Sequence, residues 1–137
     1  MRRLSGPLAG LLLFYDTTGI DAVIPVPLSP GALKDRGFNQ SLLVAHELSK
    51  RKKIPLLIDA LRKVADTRPQ VGLSAKERAA NVKKAFFCNR KLAGSMNILL
   101  IDDVMTTGAT VNACSRELLR SGAGSVNVLT LARAGVD

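Results

Sequence analysis

Residues 97–110, NILLIDDVMTTGAT, place four apolar residues, two acids, two more apolar residues and a threonine-glycine run in one order. A short, continuously apolar run is the pattern of a strand buried on both faces, as central strands of parallel sheets are. Parallel strands cannot be joined by a hairpin, so the flanking sequence has to supply crossover helices. The run delivers Asp102 and Asp103 to the carboxyl end of that strand, and ligands of open α/β sheets bind outside that end. Beyond Val104 and Met105, the small residues Thr106, Thr107, Gly108, Ala109 and Thr110 let backbone N–H groups close round a phosphate. The start of the following helix adds the positive end of its dipole, and threonine hydroxyls add donors. Ionised carboxylates only accept hydrogen bonds, so Asp102 and Asp103 suit the hydroxyls of a sugar or a hydrated Mg²⁺. A strand end or a helix cap alone would explain either half; both in this order point to a sugar phosphate. Neither GxxxxGK with a following Ser or Thr nor GxGxxG is present, so the loop is not one of those phosphate sites.

The remaining sequence alternates in the way a parallel sheet requires. Residues 8–15 read as a short leading helix. Residues 21–28, DAVIPVPL, read as a strand interrupted by Pro25 and Pro27, each of which removes a backbone donor. Residues 29–39, rich in Pro, Gly and charge, read as a loop. Residues 40–52 carry Leu42, Leu43, Val44 and Leu48 at helical spacing and end in a basic turn. Residues 56–64 and 84–89 read as strands. The polar stretch 66–81 between them reads as a long exposed loop or an irregular helix, and such loops are functional or disordered. Residues 109–121 read as a helix ended by Gly122 or Gly124, and 125–132, SVNVLTLA, as another buried strand. The recurrence predicts an α/β fold with a mostly parallel, twisted sheet flanked by helices. Residues 1–19 form a leading segment to a domain over 20–137.

At 137 residues, 47% hydrophobic and 23% charged, the chain suits one ordinary globular domain. No apolar run approaches the ~20 residues that cross a bilayer. Arg2 and Arg3 precede residues 8–15 as in a signal peptide, but no small-residue cleavage site follows, and the expectation is a cytoplasmic protein without a membrane partner. Cys88 and Cys114 have no CxxC spacing, and the single histidine, His46, lies in a helical pattern, so neither a zinc site nor Cys/His hydrolysis is expected. Two buried, idle thiols are the plainer reading. The formal charge of +9 attracts polyanions, either polyphosphates or nucleic acid. Aromatic residues at 4%, with no tryptophan, argue against a stacking platform for single strands.

ILLIDDVMTTGAT resembles, at every position, the 13-residue phosphoribosyl pyrophosphate (PRPP) signature of type I phosphoribosyltransferases. IPVPLSPGALKDRGFNQS (24–41) and RPQVGLSAKERAANVKKAF (68–86) resemble the ComF/GntX family of competence-associated phosphoribosyltransferase-like proteins. The resemblance implies a Rossmann-like type I phosphoribosyltransferase fold. By position it implies that Asp102 and Asp103 bind ribose hydroxyls and help hold Mg²⁺, and that Thr106 to Thr110 hold the 5′-phosphate, with Val104 and Met105 in the same ribose 5-phosphate loop. It puts Pro27, Leu28 and Ser29 at a pyrophosphate loop, with Arg36 as the nearby cation or as a structural arginine. It puts Lys76 and Arg78 on a loop that closes over PRPP, where a solvated charged face is the alternative. Asn39, Gln40 and Asn81 read as loop-bracing residues. The implied ligands are PRPP, pyrophosphate or a nucleoside monophosphate. The implied partners are DNA, a helicase-like competence protein or a second copy as a homodimer. The family's upstream cysteine-rich zinc module has no counterpart here, and no base-recognising hood is evident in the sequence.

Overall fold

The structure is a computed structural model and describes residues 10–64, 72, 74–77, 80, 85–105 and 107–134. In chain order the elements are a 3-10 turn (Leu12–Phe14), β1 (Ala22–Pro25), α1 (Pro30–Arg36), α2 (Gln40–Lys52), β2 (Leu61–Lys63), β3 (Phe86–Cys88), α3 (Arg90–Ala93), β4 (Asn97–Met105), α4 (Ala109–Arg120) and β5 (Ser125–Arg133).

The apolar run of β4 takes the centre of a parallel sheet of order β1-β4-β5. Its register runs from Ala22 opposite Ile98 to Pro25 opposite Ile101 on one side, and from Asn97 opposite Ser125 to Met105 opposite Arg133 on the other. Alternation along the strands divides the core. Ile24, Ile98 and Leu100 pack with Val111, Cys114 and Leu118 of α4, and with Leu61 and Phe86. Val23, Leu99 and Ile101 pack on the other face with Val44, Ala45 and Leu48 of α2, and with Leu12. β2 and β3 form a separate antiparallel pair, Leu61 opposite Cys88 and Lys63 opposite Phe86.

The prolines act where the sequence places them. Val26 still donates to Ile101 O at 2.8 Å, whereas Val23 bonds outward, its N–H to Pro55 O and its carbonyl from Leu57 N. Backbone groups alternate sides along a strand, so Pro25 and Pro27 lack their donors on the outer side. Pairing there stops at a single parallel bridge between Val23 and Leu56.

Three expectations need correction. Residues 29–39 are not loop throughout: α1 occupies Pro30–Arg36. The Ser29 hydroxyl caps it by accepting from Ala32 N, Pro30 supplies a pre-set φ, and Gly37 closes it at φ 75. Residues 56–64 are strand only at Leu61–Lys63, beyond the isolated bridge at Leu56. The leading helix is described only from residue 10: residues 10 and 11 are helical and Leu12–Phe14 is 3-10, while residues 8 and 9 lie outside the described residues. β5 is strand as expected, but it is an edge, and none of its residues is fully buried. Apolar alternation marks a strand; it does not say which strand ends up beside water. By contrast α2 spans Gln40–Lys52 as read, and α4 stops at Arg120 with Gly122 left-handed at φ 103.

Candidate functional site

β1 stops opposite Ile101 while β4 runs on, so Asp102 to Met105 extend past β1 and pair only with β5. The acids therefore stand at the carboxyl end of the sheet, where one neighbouring strand has left. Asp102 is 8% exposed. Its Oδ1 accepts from Ser41 Oγ at 3.4 Å and from Asp103 N at 2.9 Å. Burial first, and then the hydrogen bond and charge of Asp103, push its carboxyl from 3.8 up to about 6. Asp103 is half-buried, and its Oδ1 accepts from Val104 N at 2.8 Å.

The threonine-glycine half follows at once. Gly108 adopts φ 82, a left-handed backbone open to glycine, and turns the chain into α4. It brings no side chain to cap that helix, and Thr107 Oγ1 takes only the Ala109 N–H, at 3.3 Å. The first turn of α4 thus presents N–H groups and the positive dipole end to the surface. Asp102, Val104, Met105 and residues 107–111 line one small concavity of about 40 Å³. The structure brings together the residues predicted for the loop except Asp103, which does not line the concavity, and Thr106, which lies outside the described residues.

The other predicted residues spread out. Pro27, Leu28 and Arg36 line a larger cavity of about 680 Å³, with Leu33, Leu42, Ile58 and Leu61 among its walls. Ser29 is buried, with its hydroxyl committed to the cap of α1. Asn39 braces the loop as expected: Nδ2 donates to Val26 O at 3.1 Å and Oδ1 accepts from Leu42 N at 3.4 Å. Gln40 is exposed at the start of α2. Lys76 is exposed on a helical turn at 75–77 that Ser74 and Glu77 cap reciprocally, and it lines neither cavity. Arg78 and Asn81 lie outside the described residues. His46 is exposed, and both cysteines are buried.

Two side chains that matter here were not singled out from sequence. Ser41 reaches Asp102 across the sheet end. Glu117, 7% exposed on α4, accepts from Cys88 N at 3.2 Å and pairs with Arg120 at 2.8 Å, tying α4 to the β2–β3 pair. Arg120 is first among the groups that hold the Glu117 carboxyl below its usual range. Its place on the buried face of α4, with Cys114 and Leu118, was the available signal.

Among the described residues no cluster of three or more His, Cys, Asp or Glu side chains is gathered. The carboxylate oxygens of Asp102 and Asp103 are donors of the type that a hydrated Mg²⁺ takes. No helix among the described residues is long and apolar enough to cross a membrane.

Solved structures share this architecture. Glutamine PRPP amidotransferase from Bacillus subtilis superposes with a TM-score of 0.63 at 19% identity, over 90% of this chain and 25% of that one. A purine phosphoribosyltransferase from Pyrococcus horikoshii gives 0.56 at 19% identity, over 93% of this chain and 69% of that one. The fold is that of the type I phosphoribosyltransferases. No protein-family model matches the chain. In sequence it is 42% identical over 120 residues to competence protein F of Haemophilus influenzae, covering 83% of this chain and 51% of that protein. It is 38% identical over 120 residues to the DNA utilization protein YhgH of Escherichia coli K12, covering 85% and 52%. It is 36% identical over 113 residues to competence protein ComFC of Bacillus subtilis, covering 82% and 44%. Over this aligned region the chain is similar to competence protein F and its relatives, and it spans about half the length of the curated relatives it matches.

Proposed function

We propose that the chain binds PRPP or a nucleoside 5′-monophosphate and acts as a phosphoribosyltransferase. The observation that carries the reading is the concavity that buried Asp102 shares with the start of α4, with half-buried Asp103 next to Asp102 in the chain. Residues 107–111 would hold the 5′-phosphate through backbone N–H groups and threonine hydroxyls. Asp102 and Asp103 would accept from the ribose hydroxyls, with Ser41 fixing the orientation of Asp102. In turnover the bond from ribose C1 to pyrophosphate breaks and a bond from C1 to the acceptor forms, through a cationic ribosyl transition state. The protein's part is positioning, stabilisation of developing charge and exclusion of water. Arg36, which lines one cavity with Pro27 and Leu28, would be the cation nearest departing pyrophosphate, and Lys76 and Arg78 would join it as the loop that carries them closes. Bound Mg²⁺ would supply further positive charge to the same oxygens.

A second reading is a ribose-phosphate-binding or DNA-associated module without turnover. The net charge of +9 favours it, together with relatives named for competence and DNA utilization. Thermal melts with PRPP, pyrophosphate and nucleoside monophosphates, each with and without Mg²⁺, test the ligand. PRPP with Mg²⁺ at ~100 times its Kd should add about 2.7 kcal/mol of apparent stability. Asp103→Ala should lower PRPP affinity measurably in calorimetry. Unchanged melts with every ligand would leave only the module reading; PRPP binding unaltered in Asp103→Ala would remove the acid assignment.

A further inference from the structure

We propose that the cavity of about 680 Å³ between α1 and β2 is a second ligand site, one that takes an aromatic ring carrying an anionic group. The cavity shares Pro27, Leu28 and Arg36 with the proposed pyrophosphate loop and to that extent rests on the same region, but it uses neither acid of β4 nor the start of α4. The volume lies within the ~300–1000 Å³ typical of sites for small organic ligands.

Its walls set the ligand's body. Leu28, Leu33, Leu42 and Leu43 line it from the first half of the chain, and Ile58 and Leu61 from the segment that leads into β2. Leu33 and Ile58 are 44% and 54% exposed, large apolar side chains left in water. A ring laid between them would bury what the fold leaves open.

The charges set its anion. Arg36, Arg62 and Lys63 line the same cavity, against the single acid Asp59. Among the described residues Arg36 and Arg62 have no ion pair. The Lys63 ammonium sits 5.9 Å from the centroid of the Phe86 ring. A neutral ring would leave these cations uncompensated, and a bare anion such as pyrophosphate would leave the apolar walls wet; a ring with a carboxylate or phosphate answers both. The walls are held before any ligand arrives, since Ser29 and Gly37 fix the two ends of α1 and Asn39 clamps the following turn to Val26 O. Such preorganisation lowers the cost of binding.

The test is amide chemical-shift mapping of the whole chain with three probes: 2-naphthoate, its neutral analogue 2-naphthalenemethanol, and inorganic pyrophosphate. 2-Naphthoate should move the amides of Leu33, Phe38, Leu61 and Arg62, and should bind about tenfold tighter than the alcohol, the factor one charge-assisted contact supplies. Arg62→Ala should erase most of that preference while leaving the alcohol's affinity alone. Leu33→Asp should weaken both aromatic probes. Arg62 and Leu33 are exposed, so both variants should keep the wild-type fold, which circular dichroism checks. No shift at these amides with 2-naphthoate overturns the proposal. So does pyrophosphate moving them as strongly, which would make the cavity an anion site only. A dimer in sedimentation whose formation moves the same amides would give the cavity to a second copy. The ribose 5-phosphate of PRPP, or a nucleoside monophosphate, reads out separately at residues 107–111, so failure of either reading is visible without the other.

Discussion

Asp102 is 8% exposed and has a second carboxylate next to it in the chain, and both facts oppose its charge. Its folded pKa of about 6 lies above the ordinary 3.8, so the protonated form is the one that favours folding. The contribution is fully present below about pH 4 and is lost as pH rises through about 6. Asp102→Asn removes the charge and keeps an acceptor for Ser41. It should therefore raise the melting temperature at pH 8, with the gain shrinking to nothing below pH 4, in melts recorded across that range. A variant no more stable than wild type at pH 8 would show that the fold tolerates this carboxylate at no cost. Stability and binding pull against each other here, as they do where strain is kept for function. The pair itself was legible, because neighbouring acids after an apolar run have few structural uses. Ser41 was not: its bond to Asp102 spans 61 positions, and no local pattern announces a contact at that range.

The helices show why some text reads plainly and some does not. α2 was legible because Val44 and Leu48 recur on one face and Asn39 stands at its start. α1 was hidden because none of its residues is buried, so it carries no apolar stripe. Its boundary signals were present all the same: Ser29, Pro30 at the first turn and Gly37 just past the end. They were outweighed by a composition of proline, glycine and charge that loops share. Asn39 joins the two helices, capping α2 while holding Val26 O. Asn39→Ala loses both bonds and should cost about 1–2 kcal/mol in urea unfolding. A loss within experimental error would mean that water replaces both bonds. The same substitution should loosen the wall of the larger cavity before it affects the start of α4.

Taken together, the molecule is an apolar sheet carrying an excess of nine positive charges. Topology as a class was readable, since strand-helix alternation leaves few arrangements. The place of β5 at an edge was not, because order within a sheet follows from which crossovers pack and not from any strand's own residues. If the basic excess serves DNA contact, affinity for duplex should fall linearly on a log–log plot against salt, each phosphate contact adding about −0.9 to the slope. Fluorescence anisotropy at several salt concentrations measures it, and a flat line would assign the charge to a solvated face. The two thiols have a use of a different kind. Cys88 sits in β3 and Cys114 in α4, 2% and 0% exposed, and burial pushes both above the usual thiol range. The native chain therefore offers a labelling reagent almost no thiolate. Modification becomes a clock that runs only while the chain is open, with one hand on the β2–β3 pair and the other on the helix that follows Gly108.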